Sequence, residues 1–153
     1  MLIHFVCKGN TYRSRLASTY LNSKQIPGIR AVSSGIKANQ NISGIVTWEA
    51  QRIIQNNKLV DFESHIWKET SKELLDEADL VVFMQQIHYE FCKNKLGFTK
   101  NNFKIFDVKD FQDYGFGDDY VSLENDIERI KISEKTFEEI KEKVDNLVKE
   151  LSY

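Results

Sequence analysis

Between an apolar run, Leu2 to Val6, and a helical pattern that begins at Arg13, the chain leaves room only for a short turn, Cys7-Lys8-Gly9-Asn10-Thr11-Tyr12. A strand that passes through so small a loop straight into a helix turns several backbone N–H groups inward. The helix adds its own unpaired N–H groups and positive dipole end, so the turn makes a bowl for a tetrahedral oxyanion. Cysteine is a nucleophile only as its thiolate, and a helix N-terminus with a cation nearby favours that form. Cys7 stands in such a place. Arg13 supplies the cation, and its planar fork suits two phosphoryl oxygens in the ground state and in the transition state. Gly9 permits close backbone approach, Asn10 tolerates a left-handed conformation, and Ser14 is placed to offer its hydroxyl to the Cys7 sulfur.

The pattern further along is one of alternating strands and helices. Apolar runs predict strands at Leu2 to Val6, Ile29 to Ser33, Leu80 to Met84 and Phe103 to Val108. Helical periods predict helices over Arg13 to Lys24, from the loop at Asn39 to Ser43 through Asn56, over Ile87 to Lys95, and at the end. There Phe137, Ile140, Val144, Leu147, Val148 and Leu151 share one face. Thr70-Ser71-Lys72-Glu73 reads as a capping box that opens a short helix ending near Asp76. Strands joined by helical crossovers imply an α/β fold with a parallel sheet covered on both faces, which binds ligands beyond the carboxyl ends of its strands. Cys7 lies at that edge.

With Val6, Cys7, Gly9, Asn10, Arg13 and Ser14 in register, the loop resembles that of the low-molecular-weight protein tyrosine phosphatases, Val-Cys-x-Gly-Asn-x-Cys-Arg-Ser. It departs at Tyr12, where the family has cysteine, and at Arg15, where proline usually follows. Val32-Ser33-Ser34-Gly35, Ser64-His65, Thr70 to Leu75 and Ala78 to Met84 extend the resemblance over roughly the first 110 residues. It implies one domain over residues 1–153, with a four-stranded parallel sheet in the order 2-1-3-4 and helices on both faces. Lys8, Gly9, Asn10, Thr11, Tyr12 and Ser14 would form the phosphate-binding loop. Asn10, Ser14, Ser33 and His65 would form a buried hydrogen-bond network that shapes it.

Phosphoester cleavage also needs a proton for the leaving group. The family places an Asp-Pro pair about a hundred residues after the nucleophile, and Asp110 is the best match, with Phe111 where proline is usual. Asp113, followed by Tyr114, and Asp107 are the alternatives, while Asp118 and Asp119 read as solvated loop charges. Phe111, Tyr114, Phe116 and Tyr12 are candidates for the walls of a substrate slot, and equally for local packing. The segment from Tyr114 to Ile132 is longer and more acidic than the usual tail, which predicts a loop followed by an additional or extended helical turn.

The function expected is phosphomonoester hydrolysis through a cysteinyl phosphate on Cys7, with Arg13 binding phosphate and Asp110 as acid and base. The substrate would be a phosphotyrosine protein or a small aryl phosphate. Some relatives that resemble this loop hydrolyse phosphoarginine, and a small polar residue such as Thr11 at this variable position fits them better than a branched apolar one, which makes protein-arginine phosphatase the alternative. Arsenate reductase would need further cysteines, and Cys92 is the one other present. A phosphate-binding module without turnover is the non-enzymatic reading, motivated by Tyr12, Arg15 and Phe111. No cofactor or metal is expected.

A net charge of −2 gives no electrostatic case for nucleic acid or an anionic membrane. Lys8, Arg13 and Arg15 still give the loop a positive potential of its own. The 153 residues are 41% hydrophobic, enough for one substantial core. No apolar stretch approaches the roughly 20 residues of a membrane span, and two cysteines without metal-ligand spacing fit a reducing compartment, so a cytoplasmic location is expected. Oligomeric state is not readable.

Overall fold

The computed structural model describes residues 1–40, 44–116 and 123–152. Four strands form one parallel sheet in the order β2-β1-β3-β4: β1 Leu2–Cys7, β2 Arg30–Gly35, β3 Leu80–Phe83 and β4 Phe103–Ile105. Among the described residues, five α-helices connect or cover them: α1 Arg13–Ser23, α2 Trp48–Asn56, α3 Lys72–Glu77, α4 Gln86–Lys95 and α5 Leu123–Leu151. The predicted order of strands is the one found.

The alternation of side chains along a strand divides the core in two. Ile3, Phe5 and Cys7 of β1, with Leu80, Val82 and Met84, face a cluster that holds Leu16 and Leu21 of α1, Ile53 and Ile54 of α2, and Phe137, Ile140, Val144 and Leu147 of α5. Val6, Val81 and Phe83 face the other way, toward Leu75, Cys92 and Phe98. All of these are buried, and each large apolar side chain so placed stabilises the fold by about 1.5–3 kcal/mol. The central strands are covered on both faces, which is why β3 reads as an unbroken apolar run and β1 is interrupted only by the buried His4.

Most element ends fall within one or two residues of the sequence prediction, and three places show larger or more telling differences. The fourth strand was expected to reach Val108, but its ladder stops at Ile105 because Asp107 takes a left-handed conformation, φ 57°. The chain stays tied to β3 beyond that point through Phe106 N–H to Phe83 O (2.8 Å) and Val108 N–H to Met84 O (2.7 Å). The cap of α3 is Ser71, whose hydroxyl accepts from Leu74 N. Thr70, the first residue of the expected capping box, instead bonds its hydroxyl to Ser34 Oγ at 2.6 Å. The expected extra helical turn before Phe137 is realised as a longer helix: α5 runs 29 residues without interruption from Leu123. Asp118 and Asp119 lie outside the described residues, as does part of the predicted loop from Asn39 to Ser43.

β1 ends at Cys7 opposite Gly35 of β2, so the loop from Lys8 to Tyr12 leaves the sheet at its carboxyl edge and enters α1 directly. Among the described residues, no helix is long and apolar enough to cross a membrane.

Candidate active site

Asn10 is the pivot of the loop. Its backbone has φ 58°, the left-handed region, in which asparagine is one of the few tolerated residues. That turn aims its own N–H at Cys7 Sγ, 3.3 Å away. Its side chain, fully buried, is spoken for on both ends: Nδ2 donates to Ser14 Oγ (3.0 Å) and Ser33 Oγ (2.8 Å), and Oδ1 accepts from Lys68 N (3.0 Å). Ser14 Oγ in turn lies 2.9 Å from Cys7 Sγ. The Asn10 N–H and the Ser14 hydroxyl thus converge on a sulfur that is itself nearly inaccessible, 2% exposed, and with the hydroxyl proton turned toward the sulfur the arrangement suits an anion.

Among the described residues, the backbone N–H groups of Gly9, Thr11, Tyr12, Arg13 and Ser14 have no protein acceptor. Oriented amides of this kind, next to a helix start, are the fixed positive ends that hold a phosphoryl group. Thr11 is anchored from outside, its carbonyl accepting from Thr47 N at 3.0 Å.

His65, expected in the network, is not there. It is exposed and makes no hydrogen bond to Asn10, Ser14 or Ser33 among the described residues. The acceptor end of Asn10 is satisfied by the Lys68 amide instead, because segment 68–70 runs alongside β2: Gly35 N–H bonds to Lys68 O and Thr70 N–H to Gly35 O, both 2.9 Å. The histidine that does support this region is His4, whose Nε2 pairs with Ser34 Oγ at 2.6 Å. Burial, then the Lys68 charge, lowers its pKa to about 4, so it is neutral at pH 7.

Glycine is needed at a different place from the one expected. A side chain at Gly9 would meet Thr11 Oγ1 at 3.5 Å, an ordinary contact. At Gly35 a Cβ would fall 2.6 Å from Asn10 N, 2.6 Å from Lys8 O and 2.7 Å from Gly9 C. The loop rests on the bare Cα of Gly35, held there by Ile36 N–H to Cys7 O (2.9 Å) and Lys37 N–H to Lys8 O (2.8 Å).

Arg13, the first residue of α1, is 2% exposed. Its Nη1 donates to Gln85 Oε1 (2.6 Å) and Val108 O (2.9 Å), and its Nη2 is 3.3 Å from Asp110 Oδ2. Gln85 and the Val108 carbonyl escaped the sequence reading, since a glutamine before a helix and a main-chain oxygen carry no motif. The three acid candidates separate by position. Asp110 reaches Arg13. Asp113 is committed elsewhere: its Oδ2 accepts from Asp110 N (2.9 Å) and Gln85 Nε2 (3.0 Å). That amide from Asp110, ahead of Gln85 and Arg13, holds its carboxyl below the usual carboxylate range. Asp107 is exposed at the left-handed turn.

Arg15 lies beneath the loop rather than at its mouth. It is 1% exposed, and its guanidinium donates to Asn10 O (3.1 Å), Ser64 O and Ile66 O (3.1 Å), tying the loop to the chain before segment 68–70. Two of the proposed wall aromatics are packing instead. Tyr12 and Phe111 are buried and stacked, ring centroids 4.6 Å apart at 15°. Tyr114 and Phe116 remain half-buried.

Cys92 is fully buried on the opposite face of the sheet from Cys7, in the cluster with Val81 and Phe83. Burial pushes its thiol up to about 12. Among the described residues, no group of three or more His, Cys, Asp or Glu side chains could hold a metal ion.

Residues 2–153 match the model of the family described as low molecular weight phosphotyrosine protein phosphatase. The chain is 30% identical over 109 residues to a protein-arginine-phosphatase of Geobacillus stearothermophilus, covering 71% of this chain and 70% of that one. It is 30% identical over 118 residues to the low molecular weight protein-tyrosine-phosphatase Ptp of Acinetobacter johnsonii, covering 75% and 77%. The solved structure of a low molecular weight protein tyrosine phosphatase from T. tengcongensis superposes with a TM-score of 0.77 at 25% identity, over 98% of this chain and 99% of that one.

Proposed function

Because the chain belongs to the low molecular weight phosphotyrosine protein phosphatase family and is thereby a cysteine-dependent phosphatase, we propose that it hydrolyses phosphotyrosine in proteins through a phosphoenzyme on Cys7. The observation that carries this reading is the convergence of Asn10 N–H and Ser14 Oγ on Cys7 Sγ, in the same loop whose Arg13 pairs with Asp110.

The substrate phosphoryl group sits among the free amides of Gly9, Thr11, Tyr12, Arg13 and Ser14, with two of its oxygens on the Arg13 fork. The Cys7 thiolate attacks phosphorus as the P–O bond to the tyrosine breaks, and Asp110 gives its proton to the departing oxygen. Arg13 and the amides offset the charge on the equatorial oxygens in the transition state. Water then attacks the cysteinyl phosphate, Asp110 takes its proton, and the P–S bond breaks to restore the thiolate and release phosphate. Asp113 fixes the Asp110 backbone through its Oδ2, and it is Asp110 that reaches Arg13.

Phosphoarginine is the second reading, favoured by Thr11 in the loop and by the relative named a protein-arginine-phosphatase. There the P–N bond breaks, and Asp110 faces a guanidinium leaving group. The test compares hydrolysis of a phosphotyrosine peptide and a phosphoarginine peptide by wild type and Cys7→Ser. Faster release from phosphotyrosine, abolished in Cys7→Ser, is the expected result. The reverse order establishes the arginine reading. Vanadate binding with no Cys7-dependent release from either peptide or from p-nitrophenyl phosphate identifies a binding module.

A further inference from the structure

Two positions at which the loop and the acid segment depart from the family pattern, Tyr12 and Phe111, meet each other. Tyr12 immediately precedes Arg13 and Phe111 immediately follows Asp110, so the stacked rings sit one residue from each partner of the Arg13–Asp110 pair. On the other side of Phe111 lies Arg129, its guanidinium carbon 4.1 Å from the ring centroid, with Phe116 5.9 Å from the same cation. Arg129 Nε reaches Glu49 Oε1, and the Glu49 side chain is fully buried at the start of α2. Among the described residues, Glu49 Oε2 has no hydrogen-bond partner, so Arg129 is the group that balances this carboxylate. Glu49, Arg129, Phe111 and Tyr12 thus form one column drawn from α2, α5, the acid segment and the phosphate loop.

We propose that Arg129 is a positioning residue for proton transfer, clamping Phe111 between its guanidinium and Tyr12 so that Asp110 is held at Arg13. Arg129 touches neither substrate nor reacting atoms. The proposal rests on the assignment of Asp110 as the acid. It also gives the lengthened α5 a task, since Arg129 lies on the turns that precede Phe137. A cation on a ring face is strongest when desolvated, and here the ring is 6% exposed. Where a proline would restrict the backbone after the acid directly, this chain restricts it through the side chain.

Removing Arg129 alone leaves Glu49 buried and unpaired, a change that destabilises for reasons unrelated to catalysis. The test therefore uses the double substitution Glu49→Gln with Arg129→Met, which removes both charges and keeps most of the volume. Values of kcat/KM are measured on phenyl phosphate, a poor leaving group, and p-nitrophenyl phosphate, a good one, because kcat/KM reports the step that forms the phosphoenzyme. The expected result is a loss of about tenfold on phenyl phosphate and about twofold or less on p-nitrophenyl phosphate, a part of the roughly 10²–10⁴-fold that a general acid supplies. A loss equal on both esters, or no loss on either, overturns the proposal. Asp110→Ala is measured beside it. If Asp110→Ala slows both esters alike, the acid assignment falls and the clamp with it; if Asp110→Ala discriminates and the double variant does not, the clamp alone falls.

Discussion

Gly35→Ala tests whether the position of the phosphate loop is fixed by the strand beneath it. The added Cβ would lie 2.6 Å from both Asn10 N and Lys8 O, and all three of its nearest neighbours are backbone atoms. No side-chain rotation relieves that overlap. Ordinary contact begins near 3.5 Å, so the loop must retreat from β2 by about 0.8–0.9 Å, starting from the 2.6 Å approach. The retreat strains Ile36 N–H to Cys7 O and Lys37 N–H to Lys8 O, and moves Asn10 N–H relative to Cys7 Sγ. Overpacking of this kind costs about 1–3 kcal/mol of stability. A displacement near 1 Å at reacting groups costs on the order of 10²-fold in rate.

The assay is kcat/KM on p-nitrophenyl phosphate at a temperature where urea unfolding shows the variant folded. The expected result is a loss of about a hundredfold, with an unfolding midpoint lowered in keeping with about 1–3 kcal/mol. Gly9→Ala serves as the steric control for stability, since its Cβ meets only Thr11 Oγ1 at 3.5 Å. If Gly35→Ala keeps activity within about threefold of wild type, the loop is free to shift without consequence. The geometric account of the site is then wrong.

Arg15→Met strips the buried Asn10 carbonyl and the Ser64 carbonyl of the guanidinium and leaves Ile66 O with Ser64 Oγ as its donor, and urea unfolding should show a loss of about 1–3 kcal/mol; an unchanged midpoint refutes the tie. Stability should fall as pH drops below about 6.5. Burial, then Arg13, lowers His88 to about 3, and burial, then Lys68, lowers His4 to about 4, so the unfolded chain binds protons that the folded one refuses. By pH 4.5 each contributes a loss of about 2–3 kcal/mol, and His88→Gln should flatten the dependence of the urea midpoint between pH 7 and 4.5; an equal slope in the variant counts against it. Peroxide should inactivate the enzyme with poor recovery on adding thiol, because Cys92 is buried across the sheet and Tyr12 stands where relatives carry cysteine. Rapid, full recovery, lost in Cys92→Ser, would show that the two sulfurs meet.

What the sequence made legible is what depends on neighbours along the chain. The strand, the loop and the helix start follow from periodicity, and Asn10 from the demand for a left-handed residue. The sheet order came from resemblance, since nothing local distinguishes β2-β1-β3-β4 from other arrangements of four apolar runs. Partners distant in sequence and held through main-chain atoms left no trace: the Lys68 amide on Asn10, the Val108 carbonyl on Arg13, and the Ser64 and Ile66 carbonyls on Arg15. His65 was misplaced for the same reason. The chain in front of segment 68–70 could equally present a side chain or an amide to the loop, and here the amide at Lys68 takes the place.

Each departure from the family pattern is answered by other residues of the chain. Arg15 brings a charge under the loop that a proline would not, and three carbonyls receive it. Tyr12 is large where relatives carry cysteine and Phe111 is large where proline is usual, and they fill one space by stacking. That space is closed from above by Arg129 and balanced by a buried carboxylate on α2. Reverting one member would leave a void, an unpaired charge or an overpacked ring, each costing about 1–5 kcal/mol. Tyr12→Cys on its own should therefore destabilise the fold, leaving Phe111 without its stacking partner, before it gives Cys7 a neighbouring thiol.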